Sequence, residues 1–109
     1  MFLQNPRNEL PDHFLAFANP TRLRILERLA KVGEVSVNDL ALHLRMSQPR
    51  ISWHLRTLRL GGVIRTRREG RQVYCSIDVE NIRRNRERLD HMLGMTQISR
   101  SKVREEVGA

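Results

Sequence analysis

The sequence predicts a small, mainly α (α+β) domain of about five helices with a two-stranded β-ribbon, and three observations carry that reading. Apolar residues recur at helical spacing in five stretches. Asn-Pro, Ser and Gly punctuate those stretches, and only the residues after Gly61-Gly62 alternate in the two-residue period of strands. At 109 residues with 39% hydrophobic content, the chain can bury one core and is too short for two. Residues 1–95 are therefore expected to form a single domain, and 96–109 a flexible basic tail.

A first short helix is expected from about Pro11 to Ala18, leaving Phe14, Leu15 and Phe17 for a partner surface. Asn19 and Pro20 then supply an N-cap and a first helical residue. Leu23, Leu26 and Ala30, with Ile25 and Leu29 beside them, form a broad apolar stripe ending near Gly33. Val35 and Val37 make a brief extended stretch, and Ser36 with Asp39 resembles a capping box for a short helix through Leu40 and Leu44. Arg45-Met46 is a tight connector. Ser47 caps the next helix, and Pro49 sits in its first turn, where a missing N–H costs little. Two helices joined by about three residues make a helix-turn-helix.

Gly61-Gly62 stops the second of these helices, and a hairpin follows. With Glu69-Gly70 as its turn, Ile64 pairs with Cys75 and Thr66 with Val73, so Arg65, Arg67, Gln72 and Tyr74 lie on the outer face. Asp78 to Leu93 reads as a last helix with Val79, Ile82, Leu89 and Leu93 on one stripe. Phe14, Leu15 and Phe17 together with Ile82, Leu89 and Leu93 exceed what one small core absorbs, which points to a homodimer.

The net charge of +8 is unevenly spread. Five bases balance five acids from Met1 to Leu44, whereas eight arginines from Arg45 to Arg71 face Glu69 alone. Such a local excess marks a surface for an anionic partner. No apolar run approaches the roughly 18–20 residues of a spanning helix, and no secretory signal opens the chain, so a cytoplasmic protein is expected. A lone cysteine, Cys75, closes no intrachain disulfide and builds no multi-thiolate metal site.

The helix after Ser47 has two unlike faces. At 100° per residue Ile51, Leu55 and Leu58 fall on one side, and Pro49, Ser52, Trp53 and Arg56 on the other. Reading a major groove needs hydrogen-bonding side chains in the first half of such a helix, where Gln48, Arg50, Ser52 and Trp53 stand, and Ser47, Pro49 and Arg56 complete the candidate DNA contacts of this helix. Gln48 suits adenine and Arg50 suits guanine or phosphate. Trp53 reads as a contact residue, with partial core packing as the alternative. Arg67, Arg68 and Arg71 at the ribbon tip suit phosphates or a minor groove, with a merely solvated loop as the plain alternative.

Three stretches in the right order, Asn19-Pro20-Thr21-Arg22-Leu23-Arg24-Ile25-Leu26, Ser47-Gln48 through His54-Leu55, and Arg67-Arg68-Glu69-Gly70-Arg71-Gln72-Val73-Tyr74, resemble the ArsR/SmtB family of winged-helix repressors over roughly Asp12 to Leu93. The resemblance implies a winged helix-turn-helix whose first and last helices pair two copies. It also implies binding to double-stranded DNA at an inverted-repeat operator, one recognition helix per half-site.

The resemblance does not bring the family's thiophilic-metal site with it. Members that sense arsenic, cadmium or lead carry a Glu-Leu-Cys-Val-Cys-Asp-Leu stretch, and this chain has Glu34-Val35-Ser36-Val37-Asn38-Asp39-Leu40. A second family site on the last helix corresponds to Asp78, Glu80, His91 and Gly94 here, with His13 a further neighbour, and an ordinary charged dimer helix is preferred. No cofactor or metal is expected. Strand alternation turns Cys75 inward as a buried small hydrophobe, and His43 and His54 read as helix-face residues, His54 with a structural hydrogen bond open to it. No nucleophile, base and orienting group cluster by spacing, so no enzyme is expected. The reading is a sequence-specific transcriptional regulator, a repressor by resemblance, with an unknown small-molecule or protein effector left open. The alternative is an interaction module binding RNA or an acidic protein.

Overall fold

The computed structural model describes residues 6–95, so the expected tail at 96–109 lies outside it. Five helices and three short strands follow in the order α1 (Pro6–Phe17), α2 (Pro20–Val32), β1 (Glu34–Ser36), α3 (Val37–Leu44), α4 (Gln48–Leu60), β2 (Ile64–Glu69), β3 (Gln72–Ile77) and α5 (Val79–Met92). The helix α1 starts earlier than expected and carries Pro11 inside it.

The caps explain most boundaries. Asn19 Oδ1 accepts from the Arg22 amide at 3.0 Å with Pro20 at the first helical position, and the Gly33 amide closes α2 on Leu29 O at φ 85°. Ser36 Oγ accepts from the Asp39 amide at 3.1 Å and opens α3. Arg45, at φ 55°, is the left-handed residue that turns the chain from α3 into α4, and Ser47 caps α4 by accepting from the Arg50 amide.

The core joins Ile25 and Leu29 of α2, Leu40 and Leu44 of α3, and Ile51, Leu55 and Leu58 of α4 to Val63, Ile64 and Cys75. Two expected stripe members, Leu23 and Ala30, are exposed. The buried face of α2 is instead Arg22, Ile25, Leu26 and Leu29, because the Arg22 side chain turns inward and takes part of that face. Burial pushes the Cys75 thiol up to about 11, as suits a core residue rather than a nucleophile.

The ribbon is part of a three-stranded antiparallel sheet, ordered β1-β3-β2. β1 was expected only as an extended stretch; it pairs Val35 with Cys75, some forty residues on. The hairpin register also differs from the expectation. Ile64 faces Ile77, Thr66 faces Cys75 and Glu69 faces Gln72, so the turn is Gly70-Arg71. Gly70 stands at φ 64°, the first central position of a two-residue hairpin turn, which glycine takes without strain and Glu69 would not. The slip is of two residues, so every side chain keeps its face and Arg65, Arg67, Gln72 and Tyr74 remain outside.

Helices α1, α4 and α5 meet at Gly61-Gly62. His13, fully buried, donates from Nδ1 to Gly61 O at 2.7 Å, and Asn81 Nδ2 donates to Gly62 O at 2.8 Å. Gly62 takes φ +71° without strain, and a Cβ there would lie 2.2 Å from Asn81 Nδ2 and push aside the amide that donates to Gly62 O. On the stripe expected for α5, Ile82 packs on the core, whereas Val79 and Leu93 are exposed. Phe17, expected on a partner surface, also packs on the core, and its apolar surface is largely spent there.

Candidate nucleic-acid interface

The outward face of α4 follows directly from what the inward face buries. Ile51, His54, Leu55 and Leu58 are buried, and Ser47, Gln48, Pro49, Arg50, Ser52, Trp53 and Arg56 are exposed. Trp53 is 62% exposed and stands edge-on to His54, with ring centroids 5.1 Å apart. Gln48 Nε2 donates to Asn38 Oδ1 and ties the start of α4 to α3.

Between α4 and the ribbon lies a groove of about 440 Å³, with Leu55, Val73 and Cys75 in its lining and Gln48, Ser52, Arg56, Arg59 and Arg71 around it. Gln48, Ser52, Arg56 and Arg59 form one ridge of the helix, at intervals of three and four. Arg59 was not among the expected contacts, although that spacing from Arg56 already placed it on this face. Asn38 and Gln72 also line the groove, and only tertiary packing brings them there.

The arginines differ in what holds them. Among the described residues, Arg50, Arg56, Arg59, Arg68 and Arg71 have no ion-pair partner, while Arg65 Nε lies 3.3 Å from Asp78 Oδ1. Arg67 is engaged most fully. Its guanidinium meets Glu34 at 2.9 and 2.7 Å and Glu69 at 2.6 Å, and lies 4.6 Å from the Tyr74 ring centroid. A surface with unpaired guanidinium groups beside an open groove is suited to hold phosphates.

One buried link reaches α4 from behind. Arg22 donates from Nε to Ala16 O at 2.7 Å and from Nη2 to Leu15 O at 3.4 Å, and its Nη1 lies 3.5 Å from His54 Nδ1. Burial, then the Arg22 charge, then Arg50 hold the His54 pKa below its usual value, so its ring faces Arg22 uncharged.

At the positions matching the family's metal sites, most of the oxygen groups already have partners within the chain. Ser36 Oγ is buried and committed to the α3 cap, and Asn38 Oδ1 accepts from Gln48. Asp78 caps α5 through the Asn81 amide at 3.2 Å and pairs with Arg65, and Gly94 offers no side chain. Asp78 and His91 stand about 20 Å apart along a helix, too far to share an ion within one chain. Among the described residues no three of His, Cys, Asp and Glu gather closely enough to hold one. His13 donates from Nδ1 to Gly61 O, and its buried Nε2 has no hydrogen-bond partner among the described residues. Among them, too, no helix is long and apolar enough to cross a membrane.

Residues 19–66, from the α2 cap into β2, match the family model described as "Bacterial regulatory protein, arsR family". The chain is similar to a transcriptional repressor SmtB homolog of Synechocystis, with 38% identity over 85 residues, 77% of this chain and 64% of that relative. It thus spans less than two thirds of that relative's length. A crystal structure of an ArsR family transcriptional regulator superposes with TM-score 0.70 at 31% identity, covering 84% of this chain and 93% of the other. A solution structure of a homodimeric winged helix-turn-helix DNA-binding domain from Mycobacterium bovis superposes with TM-score 0.64 at 29% identity, covering 87% and 81%. With 31% identity and a TM-score of 0.70 across 93% of a solved ArsR family regulator, and the family model matched over residues 19–66, this chain belongs to the arsR family of bacterial regulatory proteins.

Proposed function

We propose that the chain is a homodimeric, sequence-specific DNA-binding repressor that reads an inverted repeat with one α4 per half-site. The observation that carries this is the convergence of Gln48, Ser52, Arg56, Arg59 and Arg71 on one open groove beside Trp53. The base-reading roles fall to Gln48, Arg50 and Ser52, and the phosphate roles to Arg56, Arg59, Arg68 and Arg71. Ser47 and Pro49 shape the first turn that presents them.

Trp53, the chain's single tryptophan, is the natural probe, and its fluorescence is expected to change on adding a palindromic duplex. The logarithm of affinity should fall linearly with the logarithm of salt, by roughly 0.9 per phosphate contact. Gln48→Ala or Arg50→Ala should change preference at particular base pairs by about 1–3 kcal/mol, and Arg68→Ala should weaken all duplexes alike. Equal affinity for palindromic duplex, random duplex and structured RNA would sink the proposal and favour a general interaction module.

The same proposal holds that thiophilic metals are not the signal, because the oxygen groups at the matching positions are already committed to caps and neighbours. Chelator, zinc, cadmium or arsenite should leave duplex affinity unchanged within about a factor of three, under 1 kcal/mol. Zinc-driven release that disappears in His91→Ala would overturn that part.

A further inference from the structure

Arg67 sits on the sheet face opposite to Ile64, Thr66 and Cys75, and it does not line the groove that Thr66 and Cys75 line. Its cross-strand neighbour on β3 is Tyr74, and Glu34 belongs to β1, one strand further. To reach Glu34 the side chain runs over the Tyr74 ring and crosses β3, close to two strand spacings or about 9–10 Å. It ends in a two-point ion pair, Nε to Oε2 at 2.9 Å and Nη2 to Oε1 at 2.7 Å, with Glu69 closing on Nη1 at 2.6 Å. Two carboxylates around one guanidinium leave this spot without spare positive charge. Hydrogen bonding to Arg67 in turn holds the Glu34 carboxyl below its usual range.

Resting on the DNA-binding reading above, we propose that Arg67 is the positioning residue of the ribbon and not one of its phosphate contacts. It fastens β2 to β1 across β3 and so fixes the angle at which Arg68 and Arg71 stand beside α4. A two-stranded ribbon on its own twists and flexes freely. A short third strand, Glu34–Ser36, gives the ribbon a base set between two helices, and Arg67 is the side chain that connects that base to the ribbon's far strand.

The test measures duplex affinity against salt for the full chain and for Arg67→Ala, Glu34→Gln, their double variant, and Arg68→Ala. Arg67→Ala and Glu34→Gln should each weaken binding, by roughly three- to fivefold, and the double variant no further, since they break one clasp. Arg67→Ala should leave the salt slope unchanged, while Arg68→Ala lowers it by about 0.9. A slope lowered by about 0.9 in Arg67→Ala, or tighter binding by Glu34→Gln, would overturn the proposal by showing Arg67 on a phosphate. A reading without DNA separates the two levels. Amide hydrogen exchange in β2 and β3 of the free protein should quicken in both single variants, and unchanged exchange would overturn the clasp. Quickened exchange in a protein that binds no duplex would support the clasp and remove the DNA reading alone.

Discussion

Leu15→Glu or Leu93→Glu is expected to convert the protein to a monomer and to lower its affinity for a two-half-site duplex by about 100-fold or more. Both residues stand out from the folded chain, 66% and 54% exposed, on α1 and just past the end of α5. Neither change should disturb the core, because exposed substitutions usually move stability by under about 0.5 kcal/mol. In a two-fold interface each substitution acts twice, and fully burying a leucine is worth about 1.5–3 kcal/mol, so the loss doubles. Linking two half-site contacts in one dimer raises affinity by about 10²–10⁴, and a monomer forfeits that gain. Light scattering reads the mass, and single against paired half-sites read the coupling. A wild-type monomer that binds a palindrome as tightly as a dimer should would refute the two-half-site proposal. Phe14 and Leu89, both half-buried, complete the proposed patch. Phe17 and Ile82 belong to it less, since they already pack on the core.

Arg22→Ala is expected to destabilise the domain by about 3 kcal/mol, since a hydrogen bond from a charged group contributes roughly 1.5–3 kcal/mol and truncation also leaves a void. At about 4–8 °C per kcal/mol for a domain near this size, the melting midpoint should fall by more than 10 °C. Arg22 is 7% exposed and has no carboxylate partner among the described residues. The Leu15 and Ala16 carbonyls at the end of α1 hold it instead, where the helix dipole favours a cation. Arg22→Lys should rescue only in part, because an ammonium lacks the planar fork that reaches both carbonyls and His54. His54 adds a pH dependence. Its pKa is depressed in the folded chain, so stability is complete above about 6.5 and falls as the pH drops below that value. In Arg22→Met the His54 titration, followed by proton NMR, should move up yet stay below 6.5, because burial is the larger cause. A stability loss under 1 kcal/mol in Arg22→Ala would remove this link.

Local chemistry made much of the fold legible. Asn19, Ser36, Ser47 and Asp78 cap helices where their side chains permit it, and Ile51, Leu55 and Leu58 against Ser52, Trp53 and Arg56 set both faces of α4. Each of these depends on residues within one or two helical turns. The hairpin faces were legible for the same reason, and its register was not: two neighbouring two-residue turns put the same side chains on the same faces, and only glycine's tolerance of a positive φ separates them.

What the sequence by itself determined is therefore a set of properties with short-range causes: element type, most of the capping, the amphipathic split of α4 and the local excess of arginine. The tertiary structure decided what each arginine does. In sequence Arg22 reads as one of the balanced bases of the first half and Arg67 as a phosphate or minor-groove contact, yet Arg22 is buried against α1 carbonyls and His54, and Arg67 is paired with Glu34 across a strand. A guanidinium's role depends on which acceptors lie within a few ångströms, and here those acceptors come from residues up to 33 positions away. Periodicity and composition carry no information about such pairings, because they arise only once α1 packs on α4 and β1 joins β3.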